Sequence, residues 1–134
     1  MTKEQMQQFF ADEFPQAEFT IDELGHRCAT IRKHIEFKHL RPGGTVSGPV
    51  MMELADAALY VTILNEIGLV ALAVTTNLNI NFLNKPESEK DLIAECKLIK
   101  VGKALIIGDV YLYSEGKEDP VAHAVGTYSV PPKR

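Results

Sequence analysis

From Val50 to Leu64 the chain is apolar except at Glu53, Asp56 and Thr62. Burying an unpaired carboxylate costs on the order of several kcal/mol, so an acid in such a run needs a partner, a solvent groove or a function. Asp56 is a candidate functional acid. It could equally be a structural acid that bonds across a subunit interface, and Glu53, one turn earlier, is the rival acid. A second ingredient lies upstream in SGPVMMELAD, residues 47–56. Pro49 suits the first helical position, which makes Gly48 the expected N-cap and sets its backbone N–H near the positive end of the helix dipole. An N–H so placed can stabilise a developing oxyanion.

Other chemistries fail on their own spacing. Gly43 to Gly48 has the G-x-x-x-x-G spacing of a phosphate loop, but Pro49-Val50 stand where Lys-[Ser/Thr] is required. Ser47 is not a nucleophile elbow, because Thr45 and Pro49 occupy its flanking glycine positions. His26, His34, His39 and His123 are scattered without ligand or triad spacing, and surface or strand-edge roles are expected for them. Cys28 and Cys96 lie in separate strand-like segments with no C-x-x-C, so free, partly buried thiols are expected and no metal site.

The elements that must position Asp56 follow from patterning. The chain of 134 residues, with a formal net charge of -4, suits one domain spanning 1–134. It offers no basic field for nucleic acid or an anionic membrane. The charged N-terminus lacks the apolar core of a signal peptide, and a soluble, cytoplasmic protein is expected. Met6, Phe9 and Phe10 predict a short amphipathic helix over 2–13, packed as a lid. Residues 18–36 read as a strand hairpin, with Cys28, Thr30 and Arg32 alternating against Ala29, Ile31 and Lys33. The one long helix runs from about Pro49 to Ile67 and is closed by Gly68. Four strands follow, at 70–83, 91–101, 104–113 and 121–130, and their turns read as a meander of hairpins. The tail, 131–134, is expected to be loose. A helix apolar on nearly every side must be central, wrapped by the sheet and covered on the other side by a partner subunit.

At this point the residues carry a resemblance. SGPVMMELAD is similar to the H-G-G-x-x-x-x-L-A-D signature of hotdog-fold acyl-CoA thioesterases, the group that includes the phenylacetate-pathway thioesterases. VTTNLNINFLNKP resembles that family's next strand, LIAECKLIKVGKALIIGDVYLY its hairpin with a Gly-Lys turn, and VAHAVGTYSV its last strand. The likeness spans nearly the whole chain. It implies an α+β hotdog fold, with one long central helix wrapped by a curved antiparallel sheet of five to six strands and a short N-terminal helix.

The resemblance also implies roles. Asp56 falls on the catalytic carboxylate, general base or nucleophile toward the thioester carbonyl. Gly48 falls on the glycine whose N–H polarises that carbonyl, and Thr75 near a Ser/Thr that orients the attacking water. The family's histidine is Ser47 here, its upstream asparagine is Arg41, and its second glycine is Pro49. Arg41 would tie Asp56 up as an ion pair or bind a carboxylate or phosphate of the substrate. Ser47, Met52, Leu59, Asn77 and Phe82 are substrate-binding candidates, and pocket size is expected to depend on how Met51, Met52, Leu59, Phe82 and the N-terminal helix pack. Lys100 and Lys103, flanking the Val101-Gly102 turn, are candidates for coenzyme A phosphates or plain turn lysines.

The leading expectation is hydrolysis of an acyl- or aryl-CoA to free acid and coenzyme A. No cofactor is expected beyond the coenzyme A of the substrate. A homodimer, or a dimer of dimers, is expected to build each site from both chains. The alternatives are a hotdog protein that binds an acyl-CoA or another apolar ligand without turnover, and a purely structural oligomer.

Overall fold

The computed structural model describes residues 1–132; of the tail, Lys133 and Arg134 lie outside the described residues. Helix α1 (Lys3–Glu13) precedes strands β1 (Thr20–Gly25) and β2 (Cys28–Lys33) and a single 3-10 turn (Phe37–His39). Helix α2 (Gly48–Ile67) then leads into β3 (Val74–Phe82), β4 (Leu92–Val101), β5 (Leu105–Ser114) and β6 (Ala122–Ser129). All six strands form one antiparallel sheet in the order β1-β2-β4-β5-β6-β3. One long helix against one antiparallel sheet, with a short N-terminal helix beside it, is the hotdog architecture.

The expected meander holds only from β4 to β6. Strand β3 does not pair with β4; it crosses to the far edge and pairs with β6, from Val74↔Ser129 to Phe82↔Ala122. The chain after β3 passes the ends of β6 and β5 before entering β4. Hydrogen bonds from the Leu83 N–H to the Val121 carbonyl (2.8 Å) and from the Glu87 N–H to Ser114 Oγ (2.8 Å) hold it on that path.

Helix α1 begins at a capping box: Thr2 Oγ1 accepts from the Gln5 N–H (3.1 Å), and Gln5 Oε1 accepts from the Thr2 N–H (2.9 Å). Met6 and Phe10 are its buried face. Helix α2 starts one residue earlier than the pattern suggested. Ser47, not Gly48, is its N-cap, with Ser47 Oγ accepting from the Val50 N–H at 3.4 Å and Pro49 inside the first turn. A serine side chain can cap where glycine has none. Gly68 ends the helix at φ 97°, in the left-handed range that glycine adopts without strain.

Two glycines seat α2 on the sheet. Gly108 and Gly126 stand opposite each other on β5 and β6, and the Leu59 side chain enters the dent they leave. A Cβ added at Gly108 would lie 2.9 Å from Leu59 Cδ2 and 3.1 Å from the Lys97 carbonyl oxygen, which cannot move aside. This contact fixes the rotation of α2, and with it the direction of Asp56 one turn earlier. Gly108→Ala is therefore expected to cost about 1–3 kcal/mol, the range for overpacking a core. Urea denaturation followed by circular dichroism measures it.

Candidate functional site

Asp56 is half-buried in the middle of α2, where the helix passes the paired strands β3 and β6. Thr75 of β3 and Tyr128 of β6 are a cross-strand pair, and the register slips between Thr75 and Asn77. A bulge of this kind re-aims a side chain. Both hydroxyls reach the same atom: Thr75 Oγ1 donates to Asp56 Oδ1 at 2.7 Å, and the Tyr128 hydroxyl donates to it at 2.8 Å. The second carboxylate oxygen, Oδ2, accepts no hydrogen bond from the described residues. Burial first, then the Asp56 charge, raise the Tyr128 phenol far above its ordinary pKa. Tyr128 thus stays protonated, a donor at any working pH. Its ring stacks on Tyr60 (5.9 Å between centroids), which meets Phe10 of α1 edge-on (5.5 Å).

A cavity of about 320 Å³ opens beside the carboxylate, within the range of small-molecule sites. Asp56, Thr75 and Tyr128 line one part of it, and Phe9, Phe10, Phe14, Phe19, Leu54 and Tyr60 make its apolar wall. Helix α1 covers it, as the lid expectation had it. Glu13, Glu18, Glu53 and Lys33 supply its remaining charge.

The other candidates fall into place less uniformly. Gly48 is half-buried at the first position of α2, and no acceptor among the described residues engages its N–H. The exposed Phe82 ring sits against it, with Phe82 Cζ 3.3 Å from where a Cβ would be. Gly48 and Asp56 are eight residues apart on one helix, a rise of about 12 Å, so the two from one protomer cannot hold the same carbonyl. Ser47 serves as a helix cap and donates its N–H to the His39 carbonyl at 3.0 Å. Arg41 is exposed in a turn, its N–H on the Thr45 carbonyl (2.8 Å), and pairs with no carboxylate among the described residues. Leu59 is fully buried core, while Met52 and Asn77 are exposed; with Met51 and Phe82, none of these lines the cavity. The aromatic residues of α1 and of the segment after it take that place. Lys100 and Lys103 are exposed at the β4–β5 turn.

His39 corrects the surface expectation for the histidines. It is buried, its Nδ1 accepts from the Glu36 N–H at 2.9 Å, and burial, then Lys33 and Lys38, lower its pKa. With Glu18 and Glu36 it makes a group close enough to hold a metal ion. The Lys38 ammonium already lies 3.2 Å from Glu18 and 3.6 Å from Glu36, and a cation there would have to displace it. Both cysteines are free, Cys28 exposed and Cys96 buried. Burial pushes the Cys96 thiol up to about 12, which keeps it protonated and inert.

Tyr128 is the site residue that spacing did not single out. An aromatic in a strand reads as core, and the one available signal is that a buried tyrosine hydroxyl needs a partner.

The sequence model of the thioesterase superfamily matches residues 43–121, which include Gly48, Asp56 and Thr75. A search of curated proteins by sequence finds no match. Among solved structures, a provisionally assigned thioesterase from Silicibacter sp. TM1040 is 45% identical with a TM-score of 0.90, over 98% of this chain and 93% of that one. A mutant of the phenylacetic acid degradation protein PaaI from Thermus thermophilus is similar in fold at 20% identity and a TM-score of 0.76, over 87% and 96% of the two chains. A hypothetical thioesterase from Streptococcus pneumoniae, solved with coenzyme A, is 17% identical with a TM-score of 0.78 over 99% of both chains. A superfamily match over more than half of the chain, and a nearly full-length relative at 45% identity, place this protein in the thioesterase superfamily.

Proposed function

We propose that the protein hydrolyses an acyl- or aryl-CoA thioester to the free acid and coenzyme A, with Asp56 as general base. The observation that carries this reading is the Asp56 carboxylate beside an aromatic-walled cavity, one oxygen held by two hydroxyls and the other free. Oδ2 takes a proton from water as the water oxygen attacks the thioester carbonyl. Thr75 Oγ1, its own proton on Asp56, offers a lone pair to orient that water. The carbonyl oxygen becomes an oxyanion received by a Gly48 N–H. Collapse of the intermediate breaks the C–S bond, and the proton on Asp56 passes to the leaving thiolate. The acyl group lies in the cavity under α1, and the nucleotide part of coenzyme A remains outside, where Lys100 and Lys103 can meet its phosphates.

The separation of Gly48 from Asp56 along α2 supports a site built by two chains. β3 is an edge strand, nine residues long, with Val74, Phe82 and the following Leu83 about half exposed. Such an edge is a template for pairing. Within one protomer Thr75 marks the level of Asp56 and Phe82 the level of Gly48. Antiparallel pairing of β3 with its copy about a two-fold axis near residues 78–79 would set Thr75 opposite the partner's Phe82. Asp56 would then face the partner's Gly48. Light scattering is expected to give a mass near 30 kDa or a multiple of it, against 14.9 kDa for one chain. A single-chain mass in an active sample would exclude the shared site. Release of free thiol from a panel of acyl- and aryl-CoA esters tests the hydrolysis itself, and ligand binding without release from any ester would favour a binding protein.

A further inference from the structure

One charged side chain on the cavity wall has no part in the chemistry proposed above. Lys33, the last residue of β2, faces inward with Ala29 and Ile31 and is only 6% exposed. Its ammonium donates to the Glu18 carbonyl at 2.9 Å, and no carboxylate lies within 4.0 Å among the described residues. The nearby Glu18 carboxylate is turned to Lys38 instead. Two of the three N–H donors of Lys33 are left without an acceptor among the described residues. A buried ammonium is stabilised by every further oxygen it can reach.

Lys33 also stands well apart from the reacting group. A chain of rings runs between them: Tyr128, bonded to Asp56, stacks on Tyr60 (5.9 Å), Tyr60 meets Phe10 (5.5 Å), and Phe10 meets Phe19 (5.0 Å), the neighbour of the Glu18 whose carbonyl Lys33 holds. Asp56 and Lys33 both line the cavity, and the rings that lead from one to the other, Tyr60, Phe10 and Phe19, line it between them. A slot with a carboxylate at one end, an apolar waist and a cation at the other matches a chain that carries oxygen at both ends.

We propose that Lys33 is a specificity residue and that the cavity prefers acyl groups whose far end carries an oxygen acceptor, a hydroxyl or a carboxylate, over chains ending in methyl. The inference rests on the acyl group entering this cavity from Asp56, as the thioesterase reading has it.

The test separates the two by measuring binding apart from turnover. Thioether analogues of hexanoyl-CoA, 6-hydroxyhexanoyl-CoA and adipoyl-CoA, with a methylene between sulfur and carbonyl, are titrated calorimetrically into the wild-type protein and Lys33→Met. The wild type should bind at least one oxygenated analogue about tenfold or more tightly than the hexanoyl one, as expected for a hydrogen bond to a charged group. Lys33→Met should lose that preference. The tighter of the two oxygenated analogues identifies the terminus as neutral or anionic. Lys33→Gln, which keeps a donor for the Glu18 carbonyl, replaces Lys33→Met if that variant fails to fold, and it should weaken the preference too. Equal binding of all three analogues, a preference for hexanoyl, no binding of any, or an oxygen preference that survives loss of the lysine would each overturn the inference. Preferential binding without hydrolysis of the matching esters would instead overturn the thioesterase reading and leave the Lys33 assignment standing.

Discussion

Asp56→Asn is expected to lower kcat for the best acyl-CoA substrate by about a hundredfold or more, the scale for removing a positioned general base. The substitution keeps the size of the side chain and an oxygen for Thr75 and Tyr128, so the fold and the cavity should survive. What it removes is the free Oδ2, the atom that must take the proton from water. KM should change little, because the acyl chain is held by the aromatic wall rather than by the acid. Steady-state thiol release, with a melting curve to confirm folding, gives the answer. Equal turnover in the variant would remove Asp56 from the mechanism, and activity that moved to Glu53, exposed on the same wall, would appear as loss in Glu53→Gln.

The second large effect belongs to the two hydroxyls. Tyr128→Phe and Thr75→Val each leave Oδ1 with one donor, and each should lower kcat by about tenfold. The double variant leaves Oδ1 with none and frees the carboxylate to rotate away from the thioester, for a loss of about a hundredfold, since misplacement of about 1 Å can cost that much. Residues that share a partner need not add, and the double-variant cycle reads their coupling. A purely structural role for Tyr128 would show as a lower melting temperature with kcat unchanged. Thr75→Ser, which restores the hydroxyl, should recover most of the rate.

Much of this site could be read from the chain, and what could not has physical causes. Helix α2 declared itself through local signals, an apolar run after Gly-Pro and a glycine at the left-handed end, and Asp56 stood out as the acid inside it. The alternation of β2 set Lys33 on the face of Ala29 and Ile31, which is the buried one. Strand order is a different matter. Period-two patterning says which face a residue occupies but not which strand lies beside it, so a reading by sequence order sets β3 beside β4 where the fold sets it beside β6. Tyr128 was hidden for the same reason, since its link to Asp56 runs through the pairing of β6 with β3. The cavity wall is not legible in the sequence because α1 docks by tertiary packing. The lining comes from Phe9, Phe10 and Phe14 on and after that helix, while Met52 faces solvent and Leu59 fills the glycine dent.

A single turnover in water enriched in oxygen-18 tests most directly whether Asp56 activates water at the thioester. Enzyme in excess over acyl-CoA is allowed one cycle; the product acid and the peptide containing Asp56 are then weighed by mass spectrometry. General-base hydrolysis is expected to place one heavy oxygen in the acid, to release coenzyme A as the free thiol and to leave Asp56 unlabelled. Label in Asp56, or an acid without label, would mean that the carboxylate attacks the carbonyl itself, and absence of both products from every ester would contradict hydrolysis altogether.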